Sequence, residues 1–344
     1  MPETVMNIFD HAAFRTAELN EKVVARVDYK PELLGSLNLF EPIYSRSRTI
    51  LIANTDRGLE LIPTSETGAP PVELGLEPSK LRPFQTTRLA KGSTIYAESL
   101  QGVMSLPFSD QVKEVGREIA DRTQRITEDM ELTWEHMRLG AITGKVYDAD
   151  GSTLINNWYS QWNVAEPTEI NFSLTAANPA KGSLRKKLRD LKRTMQKLSK
   201  GLWTTRTRVY GLAGDEFFDA LVSHPDYIDL RVNNDRTREL ENIEGFSSIE
   251  IEGVTFINYR GTDDGTTLAI DTNKVKFFPV GARGAFQVAW APAEFFPYVN
   301  QRGRDRYMLM LKDLQRDAWR RVELYSYPLF ICTRPEMLLR GRKD

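Results

Sequence analysis

From Ser109 to about Gly144 the chain keeps a helical period without a break. Val112, Val115, Ile119, Ile126, Met130, Thr133 and Met137 recur at steps of three and four residues or their sum. Ser109 is positioned to cap the start. Glu118–Arg122 and Asp121–Arg125 are i,i+4 pairs in the supporting orientation. A helix of about 30 residues measures roughly 45 Å at about 1.5 Å per residue. That length with a narrow apolar stripe predicts a spine lying along a sheet, its outer face wet or against a neighbour. Whatever else the chain builds must be arranged along this rod.

The rest of the 344-residue chain is enough for one large domain or two. Charged residues make up 27%, yet the net charge is only -1, so neither a nucleic-acid coat of one sign nor an acidic tail is expected. No apolar run approaches the roughly 18–20 residues that cross a bilayer. The start, "MPETVMNIFDHAAF", lacks the basic-then-apolar pattern of a secretory signal. Cys332 is the single cysteine, so no intrachain disulfide can form, and synthesis in a reducing cytosol is expected. It falls in "PLFICTRP", which reads as a buried strand.

Before the spine, residues 1–40 read as a polar arm with a short helix and scattered apolar anchors. "RTILIANTDRGLELIPT" is a hairpin signal, two apolar runs joined by turn formers. The proline-rich "ETGAPPVELGLEPSKLRPF" follows, extended and exposed, and "TTRLAKGSTIYAESL" returns as a strand. Such a protruding loop is costly to order alone. Something outside the monomer is expected to hold it.

After the spine comes "GKVYDADGSTLINNWY". A calcium loop would need glycine sixth and a carboxylate twelfth; counted from Asp148 those positions are Thr153 and Tyr159, and the match fails. A tight hairpin turning at Asp148, Asp150 and Gly151 is the plain reading. From about 165 a second unit begins. "GSLRKKLRDLKRTMQKLSKGLW" sets Leu184, Leu188, Leu191, Met195 and Leu198 on one stripe and surrounds them with nine cations, opposed within the helix only by Asp190. "RVYGLAG" reads as a buried strand. "DEFFDALVSHP" reads as a helix capped by Asp215 and stopped by Pro225. "FSSIEIEGVTFINYRG", "TLAIDTNKVKFFPVG", "AWAPAEFFPYV" and "RRVELYSYPLFICTRPEMLL" read as strands.

Catalytic patterns do not match. His136 has Thr133 three residues before it, where a di-iron helix needs glutamate. There is no HExxH, no phosphate loop and no GxSxG. His224 reads as a cap or surface residue. The expectation is a protein without enzymatic activity, metal or cofactor.

At "GLAGDEFFDALVSHPDY" the sequence resembles the lambda-like tailed-phage major capsid proteins, the phage major capsid protein E family. "LGSLNLFEPI", the spine with its hairpin, "GVTFINYRG", "FFPVGARGAF", "APAEFFPYVN" and "PLFICTRP" agree in order, so the resemblance spans nearly the whole chain. Tyr327, where the family usually has asparagine, and "QRGRDRYMLMLKDLQRDAWRR" depart from the pattern. The resemblance implies an α+β chain with the Johnson fold of tailed-phage and herpesvirus shells. Its parts would be an N-terminal arm (1–42), an E-loop (43–103), a peripheral domain with spine helix and hairpin (104–164), an axial domain (165–290) and a C-terminal return to the peripheral domain (291–344). It implies self-assembly into hexamers and pentamers of an icosahedral head enclosing double-stranded DNA. Scaffolding, portal and decoration proteins would be partners, no membrane would be involved, and the chain would be made in the host cytoplasm for the virion. Asp56, Arg57, Glu60, Lys80 and Arg82 become candidate E-loop contacts. Asp148, Asp150 and Gly151 become a hairpin tip near the local three-fold. Arg185, Lys186, Arg189, Lys192 and Arg193 become candidates to face DNA. Two other readings stand beside it: a soluble nucleic-acid-binding protein using the Leu184–Leu198 helix, and a carboxylate hydrolase centred on Asp148 and Asp150.

Overall fold

A computed structural model describes residues 33–54, 80–99, 108–233, 242–243, 246–259, 270–316 and 318–344. The spine helix runs Phe108–Thr143. It begins one residue before Ser109, which therefore lies in the first turn rather than capping it. Val115, Ile119, Ile126, Met130 and Met137 are buried, as the period requires, while Thr133 is only partly covered. The covered face is wider than a stripe in the second half of the rod. There Thr127, Glu131, Trp134, Glu135, Leu139, Ala141 and Ile142 are buried as well, because strands and loops from both ends of the chain pack there. Gly144 stops the helix with φ 84°, and its carbonyl accepts a hydrogen bond from the Trp158 amide at 2.9 Å.

Along the spine lies a three-stranded antiparallel sheet of Leu89–Tyr96, Trp319–Ser326 and Tyr307–Lys312. The pairs Lys91↔Leu324 and Ser93↔Val322 face the helix, where Lys91 pairs with Asp129 and Arg122 reaches the Ser93 hydroxyl at 2.9 Å. The opposite face carries a small second core of Tyr307, Tyr325, Tyr327, Ala291 and Ala293, over which Phe295 and Tyr298 pack. A second three-stranded sheet joins Glu41–Tyr44, Phe286–Trp290 and Pro328–Cys332. The buried thiol of Cys332 sits in the last of these strands.

The largest sheet among the described residues has seven strands, in the order Ile170–Asn171, Leu339–Arg342, Lys274–Val280, Arg208–Ala213, Val254–Asn258, Phe246–Ile251 and Asn242–Ile243. Its core is aromatic: Phe172, Phe217, Phe256 and Phe277 contact one another with ring centroids 5.6–6.4 Å apart. The basic helix, Ser183–Leu198, packs Leu184, Leu188, Leu191 and Met195 inward. Several expectations are refined here. Gly214, not Asp215, caps the helix Asp215–Val222, and the Asp215 carboxylate instead accepts from the Asn258 amide at 2.9 Å. Pro225 opens the next helix, Pro225–Asn233, a position where its missing N–H costs nothing. His224 is a buried cap rather than a surface residue, its Nδ1 accepting from the Asp226 amide at 3.2 Å. The stretch "AWAPAEFFPYV" leaves its strand at Trp290 and turns through a 3-10 segment, Phe296–Tyr298, because Pro292 and Pro297 cannot donate to a ladder.

The two left-handed glycines around the hairpin separate backbone strain from crowding. A Cβ on Gly151 (φ 68°) would meet open space, whereas one on Gly144 would come within 2.3 Å of the Tyr159 ring. Gly151→Ala is expected to cost about 1–2 kcal/mol from conformation alone. Gly144→Ala adds an overpacking cost of about 1–3 kcal/mol. Denaturant midpoints of the two variants measure the difference.

Candidate assembly interfaces

Thr49–Asn54 pairs with Lys80–Gln85, from Thr49↔Gln85 to Asn54↔Lys80. The expected tight turn at "NTDRG" lies outside the described residues from Thr55 on, as do Asp56, Arg57 and Glu60 themselves; the strand before it finds its partner in Lys80–Gln85. Alternation gives the ribbon two apolar faces. Ile50, Ile52 and Phe84 are buried, with Phe84 5.4 Å from the Trp158 ring and 5.6 Å from that of Trp162. Leu51, Leu81 and Pro83 point the other way and are exposed. Arg82 lies over its own Trp162 ring at 5.8 Å. The backbone of Lys80 ends the described ribbon.

Trp158 and Trp162 are presented by a short helix, Trp158–Trp162, whose N-cap Asn157 accepts from the Tyr159 and Ser160 amides. That helix follows the hairpin Lys145–Tyr147 and Leu154–Asn157, so the aspartates stand at a turn as the spacing predicts. Asp150 accepts from the amides of Ser152 and Thr153 at 3.0 and 2.8 Å, and from their hydroxyls at 3.0 and 2.6 Å. The Thr153 hydroxyl and amide, then the Ser152 amide, hold its carboxyl far below the usual carboxylate range. Asp148 accepts from the Ala149 amide. Both carboxylates serve the turn, an arrangement that leaves a hydrolase centred on them without support.

The basic helix meets a partner that its own sequence does not contain. Glu252 sits with Gly253 in a turn where both residues have positive φ, 53° and 75°. Its carboxylate takes Arg189 through two 3.0 Å contacts and Arg185 at 2.9 Å. Hydrogen bonding to Arg189 holds Glu252 below its ordinary pKa. Arg193 pairs with Asp190 at 3.0 Å, and Lys187 donates to the Phe172 carbonyl at 2.9 Å. Lys186 is exposed and Lys192 partly so. Of the five cations proposed from the sequence, three thus spend charge inside the subunit.

Two charged contacts escaped sequence reasoning altogether. Glu131 and Glu135, 3% and 1% exposed, face inward one helical turn apart. Glu131 pairs with Arg306, whose guanidinium also stacks 5.1 Å from the Trp134 ring. Glu135 pairs with Arg138 and accepts from the Leu34 amide at 2.7 Å. Burial pushes the Glu131 carboxyl up, against the opposing pull of Arg306. The only sequence signal was the appearance of glutamate on the apolar face of the spine.

Among solved structures, the capsid-protein candidate of an E. coli CFT073 prophage covers 99% of this chain and 97% of its own, with TM-score 0.57 and 12% identity. The capsid asymmetric unit of cyanophage A-1(L) aligns over 92% of this chain and 94% of its own, with TM-score 0.48 and 12% identity. The fold class is α+β, the Johnson fold. The model of the family "Phage major capsid protein E" matches residues 16–343. The major capsid protein of Salmonella phage Felix O1 (isolate Felix O1-VT1) is 24% identical over 343 residues, covering 90% of this chain and 91% of that one. The chain belongs to the phage major capsid protein E family. It is a shell-forming capsid protein of the virion, and the reading as a soluble nucleic-acid-binding protein is not supported.

The Glu252 contacts generate a pH prediction. A depressed folded-state pKa gives stability that is complete above the unfolded glutamate value of about 4.3 and is lost as pH falls through the folded value. Wild type is expected to be more stable than Glu252→Gln at pH 7, with the gap closing below about pH 4; urea midpoints at both pH values measure it.

Proposed function

We propose that copies of this chain join as hexamers and pentamers into an icosahedral head that encloses double-stranded DNA. The observation that carries this reading is the match of one capsid family along residues 16–343. The two-faced ribbon supports it. A ribbon whose inner face is filled by Trp158 and Trp162, yet whose outer face still offers Leu51, Leu81 and Pro83, suits contact with a neighbouring subunit. Asp56, Arg57, Glu60, Lys80 and Arg82 would set the register of that contact more than its strength, since exposed ion pairs contribute about 0–1 kcal/mol. Asp148, Asp150 and Gly151 form a preset turn suited to a contact near the local three-fold. Each interface can stay weak enough to correct errors, because multiplicity supplies the stability of the closed shell.

The subunit's role is structural rather than enzymatic. Scaffolding, portal and decoration proteins complete its set of partners, and assembly takes place in the host cytoplasm. Charge inside the shell would balance DNA non-specifically through cations that the subunit does not neutralise itself. Lys186 and Lys192 fit that role better than Arg185, Arg189 and Arg193, which have acidic partners in the same chain.

Electron microscopy of the chain expressed with its scaffolding protein is expected to reveal closed shells. Sedimentation of a compact monomer under all assembly conditions would sink the reading. Lys186→Gln with Lys192→Gln is expected to reduce the DNA length retained per head more than Arg185→Gln with Arg189→Gln. Equal packaging by both pairs, measured from extracted genomes, would remove the basic helix from the DNA-facing surface.

A further inference from the structure

Phe296 is 98% exposed, although the segment around it is firmly held. Phe295 meets Tyr325 edge-to-face with centroids 4.9 Å apart, Tyr298 meets Tyr307 edge-to-face at 4.8 Å, and Pro297 fixes the turn between them. A fully exposed aromatic ring on an ordered loop fills no cavity of its own subunit. Arg302 and Arg304 nearby in the chain are exposed, Arg302 lying 4.7 Å over the Tyr44 ring, and neither has a carboxylate partner among the described residues.

The same subunit carries a cavity of about 370 Å³ between the spine, the strand Leu89–Tyr96 and the hairpin tip. Leu89, Met130, Leu132 and His136 line it, with Asp129 and Asp148 among its polar walls. The size falls in the range of about 300–1,000 Å³ that holds small organic groups. Asp148 and Asp150 leave the hairpin rim acidic, with Lys91 committed to Asp129.

We infer that Phe296 of one subunit inserts into the Leu89–Met130–His136 cavity of another, steered by Arg302 and Arg304 against Asp148 and Asp150. The contact rests on the shell assembly proposed above and names one pair of surfaces within it. Its geometry is heterologous. The cavity lies on the helix side of the three-stranded sheet, where Lys91 and Leu324 point. The knob sits over the opposite face, where Tyr325 and Tyr307 point. Each subunit can therefore give and receive at once, as a ring or shell requires. An aromatic ring buried at the centre of an interface is the kind of residue that dominates its energy.

Two experiments test this. In particles of a Phe296→Cys, Thr133→Cys variant, mild oxidation is expected to give a ladder of linked subunits on a non-reducing gel; intact particles that yield only monomer overturn the contact. Phe296→Asp is expected to keep the unfolding midpoint of the free subunit, because the ring is exposed there, while lowering particle yield roughly tenfold or more. Arg302→Glu with Arg304→Glu should lower the yield too. Wild-type yield from Phe296→Asp overturns the inference and leaves shell formation standing. A wild-type chain that forms no shells overturns the assembly reading, and the contact with it.

Discussion

Two carboxylates buried one turn apart on a long helix set the terms for the rest of this subunit. Glu131 and Glu135 have left water, and an ionised group in that position carries a penalty of several kcal/mol unless it is paired and hydrogen-bonded. Their partners come from opposite ends of the chain. Arg306 is 175 residues from Glu131, and the Leu34 amide is 101 residues from Glu135. The spine cannot bury this face until both termini have come back to it. Replacing such pairs with apolar groups is often neutral for stability, so what they contribute is register. Trp134 sits between them, 4.8 Å from Trp290 and 5.1 Å from the Arg306 guanidinium, and it locks the loop after Trp290 to the same level of the helix.

With the interior fixed in this way, the excess apolar surface lies outside. The ribbon Thr49–Asn54 with Lys80–Gln85 is apolar on both faces and, among the described residues, only one of them is covered. Phe296 stands clear of a loop anchored by Phe295 and Tyr298. A monomeric protein gains nothing from such features, and large exposed patches bring a risk of aggregation. In a shell such features would be places for copies to meet, with the charges beside them deciding which encounters succeed.

What the sequence disclosed divides along the line between local and distant order. The spine was legible because Val115, Ile119, Ile126 and Met130 repeat at the helical period, and the leucine stripe from Leu184 to Met195 proved buried for the same reason. The turn at Asp148–Gly151 followed from the conformational preferences of Asp and Gly. Strand pairing was not legible. Leu89–Tyr96 pairs with Trp319–Ser326 across more than half the chain, and no spacing rule encodes that. The helix cations looked unopposed because Glu252 is 63 residues from Arg189. "APAEFFPYV" looked like a strand by composition, and its prolines overrode that composition. Family resemblance supplied the fold where periodicity stopped, but it could not say which arginines were already paired.

The charge arrangement carries the last step. With a net charge of -1, the subunit has no electrostatic excess to drive DNA binding or to repel its copies. Its charges are instead used pairwise. Glu252 ties the basic helix to a sheet hairpin, Glu166 joins Lys145 of the hairpin after the spine to Arg340 of the last strand, and Arg88 and Arg48 converge on Glu294 beside the exposed phenylalanine. Each of these links spans two segments remote in sequence, so it resists relative displacement of the elements more than it adds to their stability. A coat subunit must keep one shape in many copies while its contacts remain individually weak. Spending ion pairs on internal register, and leaving apolar faces and a few uncommitted cations for the outside, is a distribution of forces that meets both demands.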